Sequence, residues 1–193
     1  VYKRQPIYGE VLYKSKILPP LTTVNGKVIH RDWDYLQYFI NEARRLGLKV
    51  TVSTAMFPSG HPAPREGLVY DESRWDGKTC LEYTPDGKML DIREDKKKVG
   101  AFLNPVRKDV RKFALSIVRE IVRNYDVDAY ALDYCRYPGD DSDFSADSRK
   151  AFEHYLGKKV RNFPDDIFTW NADGTKNPGI YYKEWWAFRA NVI

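Results

Sequence analysis

Cysteine is nearly absent from this chain. Cys80 and Cys135 are the only two in 193 residues, too few for the disulfide framework of a small stapled domain. At the end of a predicted strand, Cys135 reads as a small packing residue and not a nucleophile. Histidine is almost as sparse. His30, His61 and His154 fall in separate segments, without the paired spacing of a metal site. No apolar run approaches the ~20 residues that span a bilayer. No secretory leader opens the chain, whose first residues read as the middle of a domain. A phosphate loop, a dinucleotide fingerprint and a zinc cluster are all missing, so neither a cofactor nor a metal is expected. A surplus of one charge is missing too. The 32 Lys and Arg face 27 Asp and Glu, and the one dense run, Arg93 to Lys98, carries its own acids. That pattern is a solvated loop and not a nucleic-acid stripe.

What remains is an ordinary globular composition, 42% hydrophobic and 31% charged, which argues against disorder. The length allows one domain with a real core. Aromatic residues are plentiful at 15%, with 14 Tyr and 5 Trp. Such rings suit the faces of sugars, and they suit a core equally.

The densest stretch runs from Asn124 to Pro138. Val127 to Leu132 reads as a short buried strand, and it ends in Asp133-Tyr134-Cys135-Arg136-Tyr137 instead of turn residues. Alternation puts Ala129, Ala131, Asp133 and Cys135 on one face and Tyr130, Leu132, Tyr134 and Arg136 on the other. In parallel α/β sheets and barrels, ligands gather at the carboxyl ends of strands. Asp133 is therefore the first functional residue to consider, against the plainer role of tying down its own turn.

The other elements follow in order. Tyr8 to Tyr13 reads as a strand, stopped before Pro19-Pro20. Asn25-Gly26 marks a tight turn. A helix follows with Asp32 as N-cap, an apolar face from Trp33 to Leu46, and Gly47 as its end. Leu48 to Thr54 is the next strand. Residues 57–102 form a long insertion with a hairpin turning at Pro85-Asp86-Gly87. Asn104-Pro105 opens the best helix as N-cap and first helical residue, with Asn124 as a left-handed end. Ser145 and Gly157 bracket another helix, and Tyr181 to Ile193 makes the last. Three strands separated by helices predict a parallel sheet with right-handed crossovers. Three are too few for a closed barrel, so residues 1–193 read as part of a larger (β/α) domain.

Four segments, taken in this order, resemble the glycosyl hydrolase-like family 10 proteins of bacteria. They are Val11-Leu-Tyr-Lys-Ser15, Leu46-Gly-Leu-Lys-Val50, Leu103-Asn-Pro-Val-Arg-Lys-Asp-Val-Arg111 and the stretch from Asn124 to Pro138. Trp186 to Val192 is similar to the family's helix before its fifth strand. The resemblance implies a fragment of a (β/α)8 TIM barrel, about strands two to four with their helices. It implies a glycoside hydrolase acting on bacterial or other complex polysaccharides, cell-envelope polymers among them, in a protein that is periplasmic, anchored at the outer membrane or secreted. The expected partner is a polysaccharide or oligosaccharide, not nucleic acid, and no membrane span is expected. Two departures stand out. The family's strand end carries two acids where Tyr134 follows Asp133 here, and its strand-three Asn-Pro is Ala55-Met56.

Glycosidic hydrolysis ordinarily needs two carboxyl groups. Asp133 supplies one as the catalytic residue, and its partner is expected outside this stretch of chain. Arg136 has three uses open to it: a sugar hydroxyl, an acidic sugar, or Asp133 itself, whose ionised form it would favour. Tyr13, Lys14, Tyr134 and His61 are the other expected substrate contacts. The alternative is a non-catalytic glycan-binding barrel, which the Tyr134 departure favours.

Overall fold

Residues 9–24, 27–29 and 32–193 are described by the computed structural model. The fold is α/β, with four two-stranded sheets and helices between them, and no closed barrel forms among the described residues. Nor is any helix among them long and apolar enough to cross a membrane.

The expected first strand does not form. Tyr8 lies outside the described residues, and beyond it only Val11 makes a ladder contact, a lone parallel bridge to Pro20. The two prolines turn the chain back on itself. The Val11 N–H donates to Pro19 O at 3.0 Å, and Leu21 N–H donates to Val11 O at 2.7 Å. Those backbone groups are spent locally and cannot pair with a sheet neighbour. Next, β1 (Thr23–Val24) and β2 (Lys27–Val28) pair antiparallel, and the Asn25-Gly26 turn lies outside the described residues.

Helix α1 (Tyr35–Arg45) is capped by Asp34 and not by Asp32. The Asp34 Oδ1 accepts from the Gln37 N–H at 3.0 Å. Trp33 consequently falls before the helix and is 44% exposed, not part of the buried stripe. The other end is as expected. Gly47 adopts the left-handed region at φ +69°, and Leu48 N–H reaches back to Ala43 O at 2.9 Å.

Strand β3 (Thr51–Ala55) follows. The long excursion after it contains a single helical turn, α2 (Leu68–Asp71), and a hairpin of β4 (Leu81–Tyr83) with β5 (Met89–Asp91). Gly87 supplies the positive φ of +78° that the hairpin turn requires. Helix α3 (Lys108–Asn124) starts four residues after Asn104, with Arg107 at the cap position. Asn104 folds an Asx turn instead, its Oδ1 accepting from Val106 N–H at 3.0 Å. Asn124 ends the helix without a left-handed residue, and extended Tyr125 leads into β6 (Ala129–Asp133). Helix α4 (Ala146–Leu156) has its expected brackets, Ser145 and a left-handed Gly157. A second hairpin, β7 (Phe168–Trp170) with β8 (Lys176–Pro178), precedes α5 (Tyr182–Val192).

Strands β3 and β6 pair in parallel, from Thr51 opposite Ala129 to Ala55 opposite Asp133. Arg44, in the last turn of α1, clamps the entry to β6, with Nη1 2.6 Å from Asp128 and Nε 3.3 Å from Asp126. Asp128 also accepts the Val50 N–H at 2.6 Å, tying the two strand entrances together. One core joins Ile40 and Ala43 of α1, Val52 of β3, and Val110, Ala114 and Ile121 of α3. A second core is aromatic: Phe144, Phe152, Phe168, Trp185 and Phe188. Trp185 is fully buried and stacks on Phe144 at 5.1 Å. Much of the aromatic surplus is therefore core, each such ring stabilising the fold by roughly 1.5–3 kcal/mol on burial.

Candidate functional site

Asp133 closes β6 and lies opposite Ala55 in register. It is exposed, and its Oδ1 accepts the Tyr134 N–H at 2.8 Å. Tyr134 sits in the left-handed region at φ +47°, uncommon for a residue with a bulky side chain and costing about 1–2 kcal/mol. The strain is held in place by packing. The Tyr134 ring meets buried Phe102 edge-on at 5.9 Å, and the Arg136 guanidinium lies 5.1 Å from the Tyr134 ring and 5.7 Å from Phe102. Arg136 Nη1 donates to Tyr137 O at 2.9 Å and Pro138 O at 3.1 Å. No ion pair joins Arg136 to Asp133 among the described residues. The strand end thus presents an exposed carboxylate beside a ring and guanidinium stacked on each other.

The loop beyond it is fastened from three directions. Arg189 of α5, sandwiched between the Tyr137 and Trp186 rings, donates to Gly139 O at 2.6 Å. Lys176 of β8 pairs with Asp140 at 2.5 Å. Lys98 pairs with Asp141 at 3.1 Å and with Glu82 of β4 at 2.5 Å. The loop ends at Asp143, which is fully buried. Its carboxylate accepts from Leu81 N–H at 2.6 Å, from Ser148 Oγ at 2.7 Å, and from Asn104 Nδ2 and Ser145 Oγ at 2.5 Å each. Burial raises the Asp143 pKa despite those donors. This hub joins the hairpin, the entry to α3 and the start of α4. Reading Asn104 as a helix cap misses it. The only trace in sequence is the Ser-Asp-Phe-Ser-Ala-Asp-Ser run ending at Ser148, polar groups too dense for a cap alone.

The other expected substrate contacts lie elsewhere. Tyr13 is buried, donating to Glu120 Oε2 at 3.3 Å and meeting Tyr125 edge-on at 5.8 Å. Burial, then the Glu120 charge, push its phenol pKa up. The backbone N–H of Lys14 donates to Asp34 Oδ2 at 2.9 Å. Both therefore sit by the last turns of α3, at the chain's approach to β6, whereas Asp133 closes that strand. His61 Nδ1 accepts the Ala63 N–H at 3.2 Å within the long excursion. His30 lies outside the described residues, and His154 is on an exposed face of α4. Both cysteines are free thiols, and burial raises the pKa of each.

A carboxylate that the sequence places inside the expected first strand, Glu10, lies nearer the strand ends. Glu10 lines a cavity of about 30 Å³ with Thr54, Ala55, Met56 and Ser59, room for about one water. Burial raises its pKa first, and the charges of Asp71 and Glu66 add to the rise. Ala55, on that cavity's wall, is the register partner of Asp133.

Two comparisons with known proteins bear on this chain. A family model described as Glycosyl hydrolase-like 10 matches residues 1–191. A protein of Niallia circulans described as S-layer-related is 36% identical over 196 residues. The match takes in all of this chain and 12% of that protein.

Proposed function

Because the chain belongs to the glycosyl hydrolase-like 10 family, we propose that it is a carbohydrate-binding portion of a larger (β/α)8 barrel, holding glycan at the end of β6. The observation that carries this reading is the stack of Phe102, Tyr134 and Arg136 beside exposed Asp133. A pyranose ring packs its C–H groups on an aromatic face or guanidinium plane, and its hydroxyls take up carboxylate and N–H partners. The backbone strain at Tyr134 fits such a site, since strained residues cluster where ligands are held. The S-layer-related name of the relative supports a place outside the cytoplasm, where a surface glycan is within reach.

Hydrolysis is a second reading, favoured by Glu10. A carboxyl group with a raised pKa suits a general acid, and glycosidic hydrolysis takes a second carboxyl group with it. Glu10 would be the proton donor and Asp133 the second carboxyl group.

One experiment separates the two. The full-length protein is titrated with cell-envelope glycan fragments while new reducing ends are counted. Binding without cleavage is expected, weakened at least about tenfold by Tyr134→Ala, as for a central aromatic contact. Asp133→Asn should change affinity little. Turnover that falls about a hundredfold in both Asp133→Asn and Glu10→Gln would make the protein a hydrolase. Failure of every fragment to bind would remove both readings.

A further inference from the structure

A second site lies where Tyr13 and Lys14 are found. An open cleft of about 710 Å³ runs between the segment at Lys14 and Lys16, the start of α1 and the last turns of α3. Four cationic side chains line it, Lys14, Lys16, Arg119 and Arg123, against two carboxylates, Asp34 and Glu120. All four cations are exposed, and none makes an ion pair among the described residues. The carboxylates, in contrast, are committed. Asp34 accepts from Gln37 N–H, Lys14 N–H and, at 2.5 Å, Tyr125 Oη. Glu120 accepts from Lys16 N–H and Ser15 Oγ at 2.6 Å each, and from Tyr13 Oη. The helix dipole accounts for Arg119 and Arg123 near the end of α3. It does not account for Lys14 and Lys16, which a separate segment brings to the same cleft.

Next to the cleft is a patch of exposed rings. Trp33 precedes the cleft residue Asp34, and Tyr38 follows the cleft residue Gln37. Trp33, Tyr35 and Tyr38 are 44%, 41% and 60% exposed. The Trp33 ring lies 5.8 Å from Tyr35 and 5.4 Å from Tyr38. Flat rings beside uncompensated cations match a polymer that alternates apolar sugar faces with anionic groups.

We propose that this cleft binds an acidic, carboxylate-bearing polysaccharide, with Lys14, Lys16, Arg119 and Arg123 meeting its charges and the Trp33 patch stacking on its rings. The polymer class rests on the carbohydrate reading above; the site itself is separate from Asp133. Charge density favours a glycan over duplex DNA. DNA carries a phosphate about every 1.7 Å of axis, whereas the cleft offers a small net excess of cations over a floor that already holds two carboxylates.

The test uses the full chain and three probes: polygalacturonate, neutral dextran and duplex DNA, each titrated at low and high salt. Polygalacturonate should bind, weaken as salt screens the charges, and outcompete the other two. The pair Lys14→Ala with Lys16→Ala, and the pair Arg119→Gln with Arg123→Gln, should each lower affinity at least tenfold with unchanged circular dichroism. Arg119→Lys with Arg123→Lys should retain most of it, and Lys97→Ala should have no effect. Trp33→Ala should weaken binding of the polyuronate without changing its salt dependence. Equal binding of dextran, or indifference to both charge pairs, overturns the proposal. Tighter binding of DNA overturns the glycan assignment. Loss of envelope-glycan binding in Tyr134→Ala with polygalacturonate binding intact would show that the two sites stand or fall apart.

Discussion

Burial pushes the Glu82 carboxyl up to about 7 from its ordinary 4.5, even against the Lys98 ammonium beside it. In the unfolded chain the group ionises near its ordinary value, while the folded protein keeps the proton longer. Over that window the folded state binds more protons, so stability falls as pH rises. Urea titrations at pH 5 and pH 8 should therefore give a lower unfolding free energy at pH 8. In Glu82→Gln the difference should shrink, because that titration is gone. An unchanged difference would assign the pH response to other groups, of which Asp143, also raised by burial, is the next to mutate. Acids crowd around Lys98. Lys98 answers to both Glu82 and Asp141, so removing it would leave a buried and a half-buried carboxylate without their cation.

At the scale of elements, Asp34 does three things at once. It caps α1, receives the Lys14 N–H and accepts the Tyr125 hydroxyl. Losing the cap alone costs about 1 kcal/mol, and losing the tertiary bonds to a charged acceptor adds about 1–2 kcal/mol more. Asp34→Ala should thus lower the unfolding free energy by about 2–3 kcal/mol in chemical denaturation, and Asp34→Asn by clearly less. Its place also shows what sequence could and could not reveal. Asp32 and Asp34 are equally good caps by chemistry, and the choice is made by Lys14 and Tyr125, groups distant in the chain. Asn104 before Pro105 fits a helix cap and an Asx turn alike, and Asp143, 39 positions on, decides for the turn. Where the signals were local, the reading was sound. Ser145 and Gly157 bracket α4 and Gly87 turns its hairpin, while the strand read over Val127 to Leu132 is shifted to Ala129–Asp133. The first strand failed because Pro19-Pro20 closes a local loop on Val11. Of the candidate site, Asp133, Tyr134 and Arg136 were legible as neighbours in one strand end. Glu10 and the Asp143 hub were not, since both are made by contacts between distant segments.

For the whole molecule, the two-stranded parallel sheet is the exposed part. Ala129, Ala131 and Leu132 of β6 are exposed, Leu132 at 51%, and among the described residues each strand has only one paired edge. Open edges with apolar side chains invite pairing with another chain. The 193-residue chain in isolation should self-associate with rising concentration in sedimentation velocity, and Leu132→Lys should reduce that association. A sharp monomer at all concentrations, unfolding cooperatively, would show that this surface needs no cover.

The pairing of β3 with β6 also has a history in time. Val50 and Asp128, which join the two strand entrances, are 78 positions apart in the chain. The β4–β5 hairpin, the α4 helix and the aromatic cluster of Phe144 and Trp185 close over far shorter spans. Closing the larger loop costs more chain entropy than closing the nearer ones, though only by about 0.6 kcal/mol for each doubling of its length. The bonds from Tyr13, Ser15 and Lys16 to Glu120 span still more of the chain, 104 to 107 positions, so both ends of this strand pair hang on long loops.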